Sequence, residues 1–331
     1  MKLIITGATG FLGRNLAENL HHDGVQVLAT GRSVDVGGKL REKGIDFRPA
    51  DLLDSDGLTE SFSPANGVIH CAAKTADWGK YREFHDTNVV GTRNVIRACE
   101  RHRIRKIIFV STPSIYYTGE DRYDISEDEP LPAKQSTAYA ETKVSAEQEL
   151  LALREQGYQV VVFRPRAVYG PYDSTISPRI LRMAEKKHLP LINDGEALTD
   201  ITYVDNFVDA VRNCLAAPDS AWNEVYNISN GAPITIRDWF AMVLKSFGRP
   251  FRPKNVPEST AKAVAGVMEF ASRLPFGPKK PLMTRFSVGY MARSMTMSIE
   301  KARLKLGYSP AVGNKGGFER YAEWCRSPGV V

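Results

Sequence analysis

K-L-I-I-T-G-A-T-G-F-L-G, Lys2 to Gly13, sets a short apolar run against glycines at 7, 10 and 13, and then opens a helical pattern. Phe11, Leu12, Leu16 and Leu20 recur at helical spacing behind it. The glycines form G-x-x-G-x-x-G between a predicted strand and a predicted helix. Such a turn leaves the strand tightly. A missing side chain admits a pyrophosphate to the backbone, and the helix N-terminus supplies N–H donors and the positive end of its dipole. Gly7, Gly10 and Gly13, with Thr9, Phe11 and Leu12 between them, are the expected dinucleotide cradle.

Outward from this stretch the pattern repeats. Apolar runs fall at Val25–Thr30, Ile45–Arg48, Gly67–Ala72, Lys106–Ser111 and Gln159–Arg164, and helical patterns at Asn88–Glu100 and Ala138–Leu153. Continuous short apolar runs alternating with amphipathic helices predict a parallel sheet covered on both faces. The fold class is therefore α/β, a doubly wound Rossmann sheet. After Pro171 the alternation loosens. Ile201–Val204 and Glu224–Ile228 read as returning strands, and Ile236–Phe247, Ala261–Leu274, Ile299–Leu306 and Phe318–Trp324 as helices. Residues 1–170 are expected to form the dinucleotide-binding domain, with 201–230 returning to it. Residues 171–200 and 231–331 are expected to form a smaller substrate-binding region. The Ala261–Leu274 helix places Val264, Val267, Met268, Ala271 and Leu274 on one side, as a cover for an apolar ligand or as ordinary core.

Composition narrows the class. Hydrophobic residues at 43% and charged residues at 25% are ordinary for a globular chain of 331 residues. A net charge of +6 suits a polyanionic small ligand and equally a scattered surface excess, and no nucleic-acid partner is expected. The four cysteines form no C-x-x-C and the six histidines no ligand spacing, so no metal is expected and a cytoplasmic, reducing setting is. The apolar start is too short for a signal segment, and no stretch approaches the length of a membrane span.

Three further patterns carry chemistry. The second strand is followed by Gly31, Arg32 and Ser33, with no carboxylate at its end to bind a ribose 2′-hydroxyl. Arg32 and Ser33 fit a 2′-phosphate, with Lys39 or Arg41 assisting, so NADP(H) is expected over NAD(H). Asp35 is the rival if the strand runs longer. Next, Y-A-E-T-K places Tyr139 and Lys143 on one helix face. An ammonium one turn from a phenol lowers its pKa toward that of a usable acid/base. Last, V-S-T-P-S-I-Y at Val110–Tyr116 offers a hydroxyl to orient a carbonyl, and Ser111, Thr112 and Ser114 compete for that role.

Together these residues resemble the extended short-chain dehydrogenase/reductase superfamily. Matching stretches are Thr6–Gly13, Asp51–Leu52, His70–Ala73, Asn88–Thr92, Ser111–Tyr116, Tyr139–Lys143, Arg164–Pro171, Tyr203–Ala210 and Tyr226–Gly231. The resemblance implies Tyr139 as acid/base, Lys143 also binding the nicotinamide ribose, and Asn88 supporting the lysine and its proton relay. Thr112 would be the carbonyl-orienting hydroxyl, because it stands three residues before Ile115–Tyr116, with Ser111 as the fallback. Asp51 and Leu52 would border adenine, Ala72 and Ala73 the pyrophosphate side with Lys74 beside them, and Pro165 and Val168 the nicotinamide face.

Within the superfamily the chain looks like the 3β-hydroxysteroid dehydrogenase branch and its bacterial relatives, which include reductases of 2-alkyl-3-oxo acids. Ala72–Gly79, Ser111–Ser114 and Phe163–Pro171 carry that likeness. Pro113 and Ser114 stand where nucleotide-sugar 4,6-dehydratases place an acidic pair, which speaks against dehydration. The branch implies an NADP(H)-dependent enzyme interconverting a ketone and a secondary alcohol on a hydrophobic substrate, with Trp78, Ser114 and Arg166 as substrate contacts and a homodimer as a compatible assembly. The alternatives are a nucleotide-sugar epimerase or reductase using Arg179, Arg252, Arg285 and Arg293, and a non-catalytic NADP sensor. An intact Thr112, Tyr139 and Lys143 set argues against the sensor.

Overall fold

A computed structural model of the chain describes residues 1–185, 188–274, 276, 278 and 280–327. Seven strands form the main sheet: β1 (Lys2–Thr6), β2 (Gln26–Gly31), β3 (Asp46–Pro49), β4 (Gly67–His70), β5 (Lys106–Val110), β6 (Gln159–Pro165) and β7 (Glu224–Ile228). Their order is β3-β2-β1-β4-β5-β6-β7, with every pair parallel. The expected doubly wound sheet is present.

Helices cover both faces. They are α1 (Phe11–His22), α2 (Val34–Glu42), α3 (Gly91–Arg101), α4 (Ala138–Ala152) and α5 (Val204–Ala216). β6 shows why its sequence is apolar from Val160 to Phe163. Val160 and Val162 pack with Ala146 and Leu150 of α4, while Val161 and Phe163 pack with Phe207 and Val211 of α5. A strand buried on both faces has no polar side to reveal by alternation.

The strand order reverses between β1 and β4, and in sheets of this kind the ligand crevice lies at such a point, at the strands' C-terminal ends. Gly7 sits at that point with φ +70°, and a Cβ on it would lie 2.7 Å from the backbone of Ala72. Two constraints, a left-handed turn and close approach to a neighbouring strand end, therefore exclude other residues at position 7.

A second, smaller sheet has the order Ile234–Thr235, Leu198–Thr199, Met295–Met297, Arg122–Ile125. Arg122–Ile125 lies between β5 and α4 in sequence but pairs with Met295–Met297 near the C-terminus. Residues 1–170 thus contribute a strand to the sheet of the C-terminal region, which the sequence reading did not foresee. The expected strand Ile201–Val204 is shorter, Thr202–Tyr203, and Val204 already opens α5.

Two more helices, α6 (Glu258–Ala271) and α7 (Arg285–Ala292), pack together. Of the expected apolar side of α6, Val264, Val267 and Leu274 are exposed and Met268 and Ala271 half-buried, and Phe270 is exposed as well. The buried side is Ala261 and Ala265 against Val288, with Glu269 receiving the Arg285 backbone N–H at 2.7 Å. Small alanines let α6 approach α7 closely, and the carboxylate suits the positive end of α7. Of the neighbouring Phe276–Tyr290 segment, residues 277 and 279 lie outside the described residues.

Candidate active site

Around the crevice the chain forms a cradle that fits a dinucleotide. α1 begins at Phe11, and its cap residue Gly10 offers no side chain to the first-turn N–H groups. Those donors are left for an anion. Gly10 is exposed, and a Cβ there would meet only the Gly7 carbonyl, at 3.3 Å. Gly13 is buried, and its Cβ would strike the same carbonyl at 2.4 Å. Phe11 and Leu12 are half-buried in the first turn. Thr9 lies against Gly31, where a Cβ would come within 2.5 Å of its hydroxyl, so Thr9 packs the cradle onto β2.

At the end of β2, Arg32 is exposed. Ser33 caps α2, accepting the Val36 N–H at 3.3 Å. β2 stops at Gly31, and Asp35 lies exposed in the first turn of α2. Lys39 is exposed, while Arg41 donates to the Phe47 carbonyl at 2.6 Å. Beyond β3, Asp51 is exposed and accepts from the Leu53 N–H at 3.0 Å. Leu52 is buried against Gly91.

On the other side of the crevice stands α4, capped by Thr137, which accepts the Ala140 N–H at 3.1 Å. Tyr139, Lys143 and Glu147 follow one another at four-residue spacing and so share a face. Tyr139 is half-buried, and the Thr112 side chain, just beyond β5, is a neighbour that lowers its phenol's pKa. Thr112 in turn accepts from the Ser114 N–H at 3.2 Å and lies 3.0 Å from the Ser114 hydroxyl. The Ser111 hydroxyl is buried with no hydrogen-bond partner. Of the three competing hydroxyls, Thr112 is the one brought to the tyrosine.

Lys143 is fully buried. Its Nζ donates to the Val110 carbonyl at 2.7 Å and lies 3.7 Å from the centre of the Phe109 ring. Burial pulls the ammonium down to about 7, against Glu147 and Cys71, which raise it. Tyr139 departs from expectation. Burial pushes the phenol up to about 12; the Thr112 side chain lowers it, and the Glu147 charge adds to the rise. Lys143 is not brought against the phenol, because its ammonium is held by Val110 and Phe109.

Asn88 sits in a π-helical turn, Asp86–Val90, just before α3. Its side chain accepts from the Lys74 N–H at 2.7 Å and donates to the Lys74 carbonyl at 3.1 Å and to Thr142 Oγ1 at 3.0 Å. Asn88 therefore ties the Ala72–Lys74 segment to α4 and meets the residue beside Lys143, not the lysine itself. The Lys74 ammonium pairs with Glu83 at 2.7 Å. Further along this segment, Asp77 accepts from Thr284 at 3.2 Å, and Arg273 lies 5.7 Å from the centre of the Trp78 ring. Asp77 and Trp78 thus clasp the segment around α6 and α7. Pro165 ends β6, and Val168 lies buried in a two-residue strand beside Thr202.

The sequence reading missed the base of this site. Arg164 donates through Nε and Nη2 to Glu147 at 3.1 and 2.5 Å, and through Nη1 to the Tyr116 hydroxyl at 2.5 Å. Tyr116 donates on to Asn227 at 3.0 Å. The available signal was Glu147 itself, one turn beyond Lys143 on the same face. His70, given no role by the sequence reading, bridges Thr6 and Thr92 at 2.7 and 3.0 Å. Burial, with the Lys143 charge, pulls it down to about 3, so it holds β1 to α3 as a neutral ring. Among the described residues no group of His, Cys, Asp and Glu could hold a metal, and no helix is long and apolar enough to cross a membrane.

A Rossmann sheet with a glycine cradle at its switch point, facing a tyrosine and lysine on one helix, defines an NAD(P)-dependent oxidoreductase. Comparison with known proteins gives the family. The model of the NAD dependent epimerase/dehydratase family matches residues 3–229. The 2-alkyl-3-oxoalkanoate reductase of Stenotrophomonas maltophilia is 34% identical over 97% of this chain and 98% of that protein. The 3β-hydroxysteroid-dehydrogenase/decarboxylase isoform 1 of Arabidopsis thaliana is 29% identical over 96% of this chain and 78% of that one. The crystal structure of UDP-glucuronic acid 4-epimerase from Bacillus cereus in complex with NAD aligns with a TM-score of 0.74 at 25% identity, over 98% of each chain. The chain belongs to the NAD dependent epimerase/dehydratase family of extended short-chain dehydrogenases/reductases, as its motifs implied.

Proposed function

We propose that this protein interconverts a ketone and a secondary alcohol on a hydrophobic 3-oxo or 3-hydroxy substrate, with NADP(H). The observation that carries the reading is Thr112 beside Tyr139 at the head of α4, with Lys143 one turn below, fully buried and donating to the Val110 carbonyl at 2.7 Å. In the reducing direction Tyr139 gives its proton to the substrate oxygen. Thr112 holds that oxygen with a second hydrogen bond. Lys143 holds the nicotinamide ribose, and Asn88, through Lys74 and Thr142, keeps the wall of the crevice in register with α4. The dinucleotide, when bound, supplies or accepts the hydride.

The relatives support the substrate class, since one is a reductase of 2-alkyl-3-oxoalkanoates and another a 3β-hydroxysteroid-dehydrogenase/decarboxylase. Of the four arginines weighed for a diphosphate, Arg252 is exposed and the other three are engaged. Arg179 donates to the Leu282 carbonyl at 3.0 Å, and Arg285 and Arg293 pair with Glu269 and Glu258 at 2.9 and 2.8 Å. An apolar pocket gains about 0.8 kcal/mol per buried CH₂, so kcat/KM is expected to rise roughly threefold to fourfold for each methylene added to the substrate. Measuring NADPH oxidation along a series of 3-oxo substrates, with millimolar UDP as a competitor, checks this. Rates indifferent to chain length, or competitive inhibition by UDP, would transfer the chain to the nucleotide-sugar reading.

NADP preference rests on Arg32. Arg32→Glu is expected to raise the KM for NADPH by roughly ten- to hundredfold, the worth of a hydrogen bond to a charged group, and that for NADH much less. Steady-state kinetics with both cofactors decide it. A wild-type enzyme that prefers NADH would sink the assignment.

A further inference from the structure

Arg166 is a charged side chain placed with unusual care and left incomplete. It follows β6 and is 3% exposed. Its backbone is pinned on both sides: the N–H donates to the Ile228 carbonyl at 2.9 Å, and the carbonyl accepts from Thr202 Oγ1 at 2.6 Å. The next residue, Ala167, takes φ +42°, a left-handed turn without glycine, of the kind that persists where the surroundings force it. Nε and Nη2 of the guanidinium donate to Thr199 Oγ1 at 3.2 and 2.9 Å, and its plane lies 4.3 Å from the centre of the Tyr290 ring. Nη1 is buried and has no partner.

Among the described residues no carboxylate comes within 4.0 Å of this guanidinium. Asp200 acts on it only at longer range, and the Asp200 oxygens already serve the Met297 N–H at 2.8 Å and the Ser229 hydroxyl at 3.2 Å. Native structures pair their buried charges and satisfy buried donors, and an exception calls for a ligand or another cause.

Position supplies the ligand. Arg164 meets Glu147, while Tyr139, at the other end of that helix face, meets Thr112 beyond β5. From Glu147 the helix therefore climbs in the direction that β6 runs from Arg164 to Arg166. Lys143 stands one turn above Glu147, about 6 Å. Arg166 stands two residues above Arg164, about 7 Å. The guanidinium thus arises at the level of Lys143. Tyr290 continues the wall: it packs edge-on to Tyr117, 5.5 Å between ring centres, and Tyr117 directly follows the turn that Thr112 begins.

We propose that Arg166 receives the carboxylate of the substrate, so that the substrate class is an oxo or hydroxy acid and not a neutral ketone or alcohol. This rests on the ketone/alcohol reading above. A planar guanidinium with a free N–H edge matches a carboxylate. A diphosphate would call for several free cations, and Arg179, Arg285 and Arg293 are engaged elsewhere, which leaves Arg252 alone of the four.

The test is oxidation, by the full chain with NADP⁺, of a 3-hydroxyalkanoic acid and of its methyl ester, which differ in charge and little in shape. The wild type is expected to favour the acid in kcat/KM by about a hundredfold, the scale of a charge-assisted hydrogen-bonded pair. Arg166→Gln should bring that ratio close to one, and Arg166→Lys should keep part of it. Equal turnover of acid and ester by the wild type overturns the proposal and leaves the ketone/alcohol reading standing, whether or not the variants fold. A ratio that survives in Arg166→Gln moves the carboxylate to another residue. Turnover of neither compound overturns both readings.

Discussion

Tyr139→Phe is expected to lower kcat by about 10²–10⁴-fold, the span for loss of a positioned acid or base. The substitution deletes one hydroxyl and keeps the ring in its half-buried seat, so cofactor affinity and folding should change little. The direction of reaction adds a second signature. With the phenol pushed up to about 12, Tyr139 stays protonated across ordinary pH. It is ready to give a proton in ketone reduction and must first lose one in alcohol oxidation. Reduction should therefore be insensitive to Tyr139 ionisation between about pH 6 and 9, whereas oxidation should climb with pH in that window. Rates in both directions across pH, on wild type and Tyr139→Phe, check both parts. A variant that keeps its activity within a few-fold would place the acid elsewhere.

Glu147→Gln is expected to be the most damaging substitution outside the catalytic groups. Glu147 and Arg164 are 3% and 5% exposed, and two of the three guanidinium contacts fall on the one carboxylate. Removing one partner of a buried pair leaves the other charge uncompensated, at about 3–5 kcal/mol. Replacing both, as Glu147→Leu with Arg164→Met, should recover most of the loss, since no charge is then buried alone. Denaturant unfolding of the single and double variants measures this. A loss below about 1 kcal/mol in Glu147→Gln would mean that the pair is not what holds α4 to β6. A kinetic mark should accompany the loss. Glu147 raises Lys143 against the pull of burial, so without it the lysine falls below about 7. If the ammonium is the active form, the alkaline limb of the kcat/KM profile should then move toward acid.

The main sheet was legible because two-face burial makes a strand an apolar run, and β7 appears with the limits its sequence suggests, Glu224–Ile228. The glycine cradle was legible because steric exclusion at Gly7 and Gly13 leaves one residue type. Arg122–Ile125 was not. R-Y-D-I has no alternation, and its partner is set by a chain far away in sequence. α6 misled for a different reason. Helical spacing identifies an apolar stripe but not which stripe is buried, and here the alanine side won over the valine side. In the site, residue types and spacing pointed to Tyr139 and Lys143 and left three hydroxyls competing, among which the family resemblance chose Thr112. What escaped was electrostatic: which carbonyl takes the lysine, and how far burial outweighs a neighbouring charge, depend on atoms that no spacing records.

The pairing of Arg122–Ile125 with Met295–Met297 also sets a timetable. The Asp124 N–H is held by Thr296, 172 residues later, and the Ser294 N–H by Asp121. On a ribosome adding about 5–20 residues per second, roughly ten to thirty seconds separate the synthesis of the two strands. The βα units through β6 can assemble as they emerge, because each strand after β1 pairs with one already made. The second sheet cannot close until the chain has passed Met297. Throughout that interval the strand that follows the Thr112 turn waits with an unpaired edge. The nascent protein is thus able to gather its nucleotide-binding crevice well before the far wall of its active site exists, and a ribosome stalled before residue 295 would present an open strand edge to any chaperone within reach.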